Sequence, residues 1–130
     1  LEPLSGYLAL GKELFTESHL HGQAFNFGPK SAKNHTVGQL LSDLSQYWNF
    51  QNLDDAFIVT DNIKFPESSL LKLNCDKALF YIDWQASLNY NKTIRFTSEW
   101  YYAFYNKEVD MFDVTNEQID EYEKYAANYN

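Results

Sequence analysis

The chain has 130 residues, 45% of them hydrophobic and 18% aromatic, and a formal net charge of -8. That size fits one domain, and the apolar content is enough to bury a core, which excludes a disordered chain. The acidic balance repels a phosphate backbone or an anionic bilayer on average, and nine scattered lysines with the single Arg95 form no basic run to offset it.

In chain order, Pro3 and Ser5 precede Tyr7, Leu8, Leu10, Leu14 and Phe15, whose gaps of three and four suit a helix with one buried face ending near residues 19–22. Residues 23–27, closed by Gly28-Pro29, read as a short buried strand, and 30–35 as a polar loop. Thr36 caps a second helix with Val37, Leu40, Leu41, Leu44, Tyr47 and Trp48 on one side. Residues 56–60 read as a strand and 61–68 as a loop. Residues 70–73 read as a third strand. Asn74 then caps a helix over 75–81.

A long helix is predicted over 89–106, with Tyr90, Ile94, Thr97, Tyr101 and Phe104 on one stripe. Beyond Lys107 the chain turns acidic, and Thr115 with Gln118 forms a capping box for a last helix. The fold class expected is therefore α/β: a small lobe of about four helices and two to three short strands, without a doubly wound sheet. It divides into a body over 1–107 and an acidic helix over 108–130.

The residues able to do chemistry are few. His19-x-His21 supplies two metal ligands only on a strand, and near a helix end the imidazoles instead meet the negative pole of the dipole. His35 has no carboxylate or cysteine beside it. Cys75 is the sole cysteine, which excludes an internal disulfide and suits a reducing, cytoplasmic setting. It opens a helix but lacks a base, so a packed thiol is expected. Asp54-Asp55 and the pair Asp110 and Asp113 read as solvated loop acids, and the aromatic ladder from Tyr90 to Phe104 as core. No metal site is expected.

The stretch over 67–84 carries a resemblance. Leu73-Asn74-Cys75-Asp76-Lys77-Ala78 followed by Ile82-Asp83-Trp84 resembles the Leu-Asp-x-x-Lys-Ala and Leu-Gly-Trp elements of extended short-chain dehydrogenase/reductases acting on nucleotide sugars. The opening Leu-Glu-Pro-Leu-Ser-Gly-Tyr-Leu, Phe25-Asn26-Phe27-Gly28-Pro29 and Thr97-Ser98-Glu99-Trp100-Tyr101 are similar to segments of the CDP-glucose 4,6-dehydratase family. Gln118, Ile119 and Tyr122 resemble that family's final helix. The matches run in order along nearly the whole chain.

The resemblance implies a parent lyase with bound NAD that oxidises a CDP-sugar at C4, eliminates water across C5 and C6 and returns the hydride to C6. It further implies that this chain is the C-terminal substrate-binding subdomain, its partners a CDP-sugar and a missing N-terminal Rossmann half. Glu67 matches a family glutamate placed to accept hydrogen bonds from ribose hydroxyls. The five glycines form no dinucleotide fingerprint, and no lysine has a tyrosine four residues before it, so the fragment alone is expected to be inactive and to bind no cofactor. Pro66, Asn74 and Asp83 depart from the family's histidine, aspartate and glycine. The opening at Leu1 reads as cut from something longer. An alternative is a free-standing acidic interaction module derived from the same lobe, or the lobe of another nucleotide-sugar dehydratase or epimerase.

Overall fold

Helix propensity and capping explain most of the backbone. A computed structural model describes residues 1–30, 34–50, 52–60 and 72–127. They form five α-helices: α1 (Glu2–Thr16), α2 (Val37–Ser45), α3 (Asp76–Ile82), α4 (Tyr90–Asn106) and α5 (Met111–Ala127), with single 3-10 turns at Ser18–Leu20 and Leu53–Asp55. α1 starts with Pro3 in its first turn, where a missing N–H costs nothing. α2 is closed by the expected capping box: Thr36 Oγ1 accepts from the Gln39 amide at 3.1 Å, and Gln39 Oε1 accepts from the Thr36 amide at 3.0 Å.

Two helix starts differ from the expectation. Cys75 occupies the cap position of α3, yet Asn74 Oδ1 accepts from the Asp76 amide at 2.8 Å, so the asparagine does the capping from one residue earlier. α5 begins before Thr115: Asp110 Oδ1 accepts from the Phe112 amide at 2.8 Å. Thr115 lies inside the helix, where its hydroxyl donates to the Met111 carbonyl and accepts from the Trp100 indole.

The α/β expectation is overturned, because no strand forms among the described residues. Residues 23–30 form neither helix nor strand. Side chains satisfy their carbonyls instead: Lys77 Nζ donates to Ala24 O at 3.1 Å, and Cys75 Sγ lies 3.9 Å from Gly28 O. Apolar alternation gave these segments strand character, but a strand also needs a neighbour at pairing distance. Residues 57–60 are likewise irregular, and the third expected strand, over 70–73, lies partly outside the described residues.

The chain forms two compact units, Leu1–Ala32 with Lys72–Asn89 and Ile119–Asn130, and Lys33–Leu71 with Tyr90–Gln118. In the first, Leu20, Phe27, Ala78, Ile82, Trp84 and Ala86 make the core, with Leu10 and Leu14 of α1 packed against it. Phe27 is central, meeting Trp84 edge to face at 5.0 Å and Tyr7 at 5.4 Å. In the second unit α2 packs on α4. Ser98, only 1% exposed, donates to the Leu44 carbonyl, and Gln118 donates to the Phe96 carbonyl at 2.8 Å.

Candidate functional site: a cleft beside the start of α3

The first unit contains a cleft of about 490 Å³. One side is the Gly28-Pro29-Lys30 segment, the floor is the run from Lys72 to Asp76 entering α3, and the other side is Trp84, Gln85 and Ala86. This segment and the floor approach closely at Gly28. A Cβ there would lie 3.2 Å from Leu73 Cδ1 and 3.6 Å from Cys75 Sγ, so a larger residue would push the floor inward.

The floor is fixed by polar contacts of Asn74, which precedes α3. Asn26 Nδ2 donates to the Asn74 carbonyl at 3.2 Å, while Asn74 Nδ2 donates to Asp76 Oδ2 at 3.1 Å. That second contact needs an amide, because an aspartate at position 74 would set two carboxylates against each other. Here the departure from the family's aspartate has a local reason.

The far wall turns on Asp83. It sits at φ 49° and ψ 35°, a left-handed position that favours glycine, and it closes α3 with its amide on Leu79 O and the Trp84 amide on Ala78 O. The family's glycine at this place thus has a backbone explanation. Beyond the turn the wall is pinned from behind by α1. The Trp84 indole donates to Ser5 Oγ at 2.9 Å, and the Glu2 carboxylate accepts from the amides of Ser87, at 3.1 Å, and Leu88. Tyr122 of α5 joins this network, its hydroxyl 2.8 Å from Ser5 Oγ and 3.2 Å from Glu2 Oε2. Burial, helped by the Glu2 charge, raises the Tyr122 phenol above its ordinary range, against a smaller pull downward from Ser5 and Ser87.

Glu67, the substrate-binding residue expected from the sequence, lies outside the described residues, as does Pro66. The other candidates are not gathered into one place. His21 Nε2 donates to the Leu14 carbonyl at 2.9 Å near the end of α1, and His19 Nδ1 is 3.2 Å from Glu17. His35 stacks on Tyr90 at 3.5 Å, and the Tyr90 hydroxyl donates to Asp43 at 2.8 Å. Asp55 accepts from the Asn52 amide and Asp110 caps α5, so these acids serve turns. Among the described residues no group of three His, Cys, Asp or Glu could hold a metal ion.

Cys75 is half-buried on the cleft floor. The described residues also lack the strand, glycine-rich turn and helix that would hold a dinucleotide, so they do not fit NAD. Lys30 and Lys72 were missed as a pair in the sequence. They stand 42 positions apart, and only the fold brings both to one cleft. A second hollow, of about 330 Å³, lies in the other unit between Leu44, Trp48, Phe57 and Tyr101, and none of the described residues lining it is charged. No described helix is long and apolar enough to cross a membrane.

No family model matches the chain, and no solved structure matches it. It is 31% identical over 123 residues to CDP-glucose 4,6-dehydratase of Salmonella typhimurium (strain LT2), a match covering 94% of this chain and 33% of that protein. The chain therefore spans about a third of the length of this curated relative. Over nearly its whole length the chain is similar to CDP-glucose 4,6-dehydratase, and it corresponds to about a third of that protein.

Proposed function

We propose that this chain is the C-terminal substrate-binding lobe of a CDP-glucose 4,6-dehydratase-like enzyme, holding a CDP-sugar in the cleft beside α3. The observation that carries the reading is the 31% identity with the dehydratase over 94% of the chain; two stretches whose sequence resembles that family, 25–29 and 73–78, contribute Gly28, Pro29 and residues 73–76 to the cleft lining. The volume is in the range of pockets that take nucleotide-sized ligands.

A second feature supports a lobe within a larger fold. α1 buries Gly6 and partly buries Leu10 and Leu14 on one side, yet its other side exposes Leu4, Leu8 (78%) and Phe15 (92%). A helix apolar on both faces belongs between two layers. In this reading the lobe binds, orients and shields the substrate, and the hydride chemistry with NAD belongs to the remaining two thirds of the parent protein. Glu67 is assigned to the ribose hydroxyls.

Titrating the chain with CDP while following indole and amide signals tests the reading. Weak binding, about millimolar, is expected, with Trp84 perturbed and Glu67→Ala weakening it several-fold. A Trp84 signal indifferent to CDP, or low-micromolar affinity unaffected by Glu67→Ala, would contradict it.

A further inference from the structure

We infer that Glu2 and Ser5 of α1, closed by Tyr122 of α5, form a latch that positions the cleft wall over 84–86, and that this latch sets the affinity of the cleft without touching its ligand. The inference rests on the nucleotide-sugar reading above and adds positioning residues for that site. None of the three is among the described residues lining the cleft.

The wall depends on the latch because its own backbone is irregular. Residues 83–87 are neither helix nor strand, and they follow the left-handed turn at Asp83. Both ends of the wall are tied instead to α1, within the first unit. At one end the Trp84 indole donates to Ser5 Oγ at 2.9 Å; just past the other, the amides of Ser87 and Leu88 donate to the Glu2 carboxylate. Glu2 and Ser5 stand three residues apart in the first turn of α1, so they share a face.

The hydrogen bonds give the latch a direction. A hydroxyl has one proton and two acceptor sites. Ser5 gives its proton to the Glu2 carbonyl at 2.8 Å and accepts from both the Trp84 indole and the Tyr122 phenol, so all three are used. The indole only donates, and Trp84 is 7% exposed, so loss of Ser5 Oγ strands a buried donor. Trp84 also lines the cleft, and there a released indole finds water by turning into the space the ligand needs. Tyr122 acts one bond further out. It takes the second acceptor site of Ser5 and reaches Glu2 Oε2 at 3.2 Å, which joins the two ties of the wall.

The test measures CDP affinity of the 130-residue chain by indole and amide signals, together with amide hydrogen exchange. Ser5→Ala and Tyr122→Phe should each weaken CDP about fivefold. Ser98→Ala, which loses a buried hydrogen bond in the second unit, should stay within about twofold, which separates positioning from stability. In a Trp84→Phe chain, which has no indole N–H, Ser5→Ala should weaken CDP by no more than about twofold further. Ser5→Ala should also speed exchange at the Ser87 and Leu88 amides, which are bonded to Glu2, by more than the loss of global stability accounts for.

CDP binding that Ser5→Ala and Tyr122→Phe leave unchanged overturns the inference and keeps the reading above. A loss matched by Ser98→Ala, or repeated in full in the Trp84→Phe chain, likewise overturns it. Absence of CDP binding in the parent removes the reading, and the latch then stands or falls on exchange: unchanged rates at Ser87 and Leu88 overturn it too.

Discussion

The Tyr122 hydroxyl of α5 and the Glu2 carboxylate of α1 lie 3.2 Å apart although 120 positions separate them in sequence. Glu2 also accepts from the amides of Ser87 and Leu88, so one carboxylate near the start of the chain holds the segment following the cleft wall. Glu2→Ala should therefore leave the amides of Ser87 and Leu88 short of an acceptor, the Tyr122 phenol keeping Ser5 Oγ, and destabilise the chain by about 1–3 kcal/mol. Glu2→Gln, which keeps one acceptor oxygen, should cost less. Urea unfolding of the two variants checks the order.

Alkaline pH probes the same network. The Tyr122 phenol is raised above its ordinary value, first by burial and then by Glu2, so the folded state keeps its proton where the unfolded chain has lost it. Its stability contribution is complete below about pH 10 and is lost as pH rises from there through the folded value. Tyr122→Phe should flatten this alkaline loss while lowering stability at pH 7 by about 0.5–1.5 kcal/mol for the missing hydrogen bonds. Unfolding midpoints taken from pH 7 to pH 11 would show a parallel loss in both proteins if Tyr122 were not its source.

Gly6 is buried against Phe27, and a Cβ there would lie 2.3 Å from the ring. Gly6→Ala is expected to cost about 1–3 kcal/mol by overpacking, despite alanine's better helix propensity. Phe27→Leu in the same chain should recover part of that loss. A double-mutant cycle without coupling between the two positions would remove the packing explanation.

Asp83 occupies a left-handed position that glycine adopts without a Cβ penalty. Asp83→Gly should stabilise the chain by up to about 1 kcal/mol, and Asp83→Val should destabilise it, in thermal unfolding. Because Trp84 follows this turn, the glycine variant should leave CDP binding unchanged.

The exposed stripe of α1 gives a prediction about the surface. Leu8→Gln with Phe15→Gln should change stability by less than about 0.5 kcal/mol per site, because neither side chain is buried. The same pair should reduce the fluorescence of an apolar dye bound to the isolated chain. An unchanged dye signal would place the main apolar patch elsewhere, for instance on the aromatic face of α4.

Much of the helical content was legible before any coordinates. Val37, Leu40, Leu41 and Leu44 repeat at helical spacing behind a Thr36–Gln39 box, and each of those contacts closes within four residues. The start of α5 was read five residues late because Thr115 and Gln118 imitate a cap, whereas Asp110 supplies the real one. The strands over 23–27 and 56–60 were misread for a different reason. Alternating apolar residues report burial on one side, but they carry no information about whether a second strand lies alongside.

By itself the sequence determined the order of the family motifs, the capping chemistry of α2 and the acidic balance, all of which are local or additive along the chain. Only the tertiary structure decided that residues 23–30 form no strand, that Glu2 and Ser5 brace the wall containing Trp84, and that Lys30 and Lys72 line one cleft. Those relationships join positions between 42 and 120 residues apart, and their energy exists only after the chain has closed the loops between them.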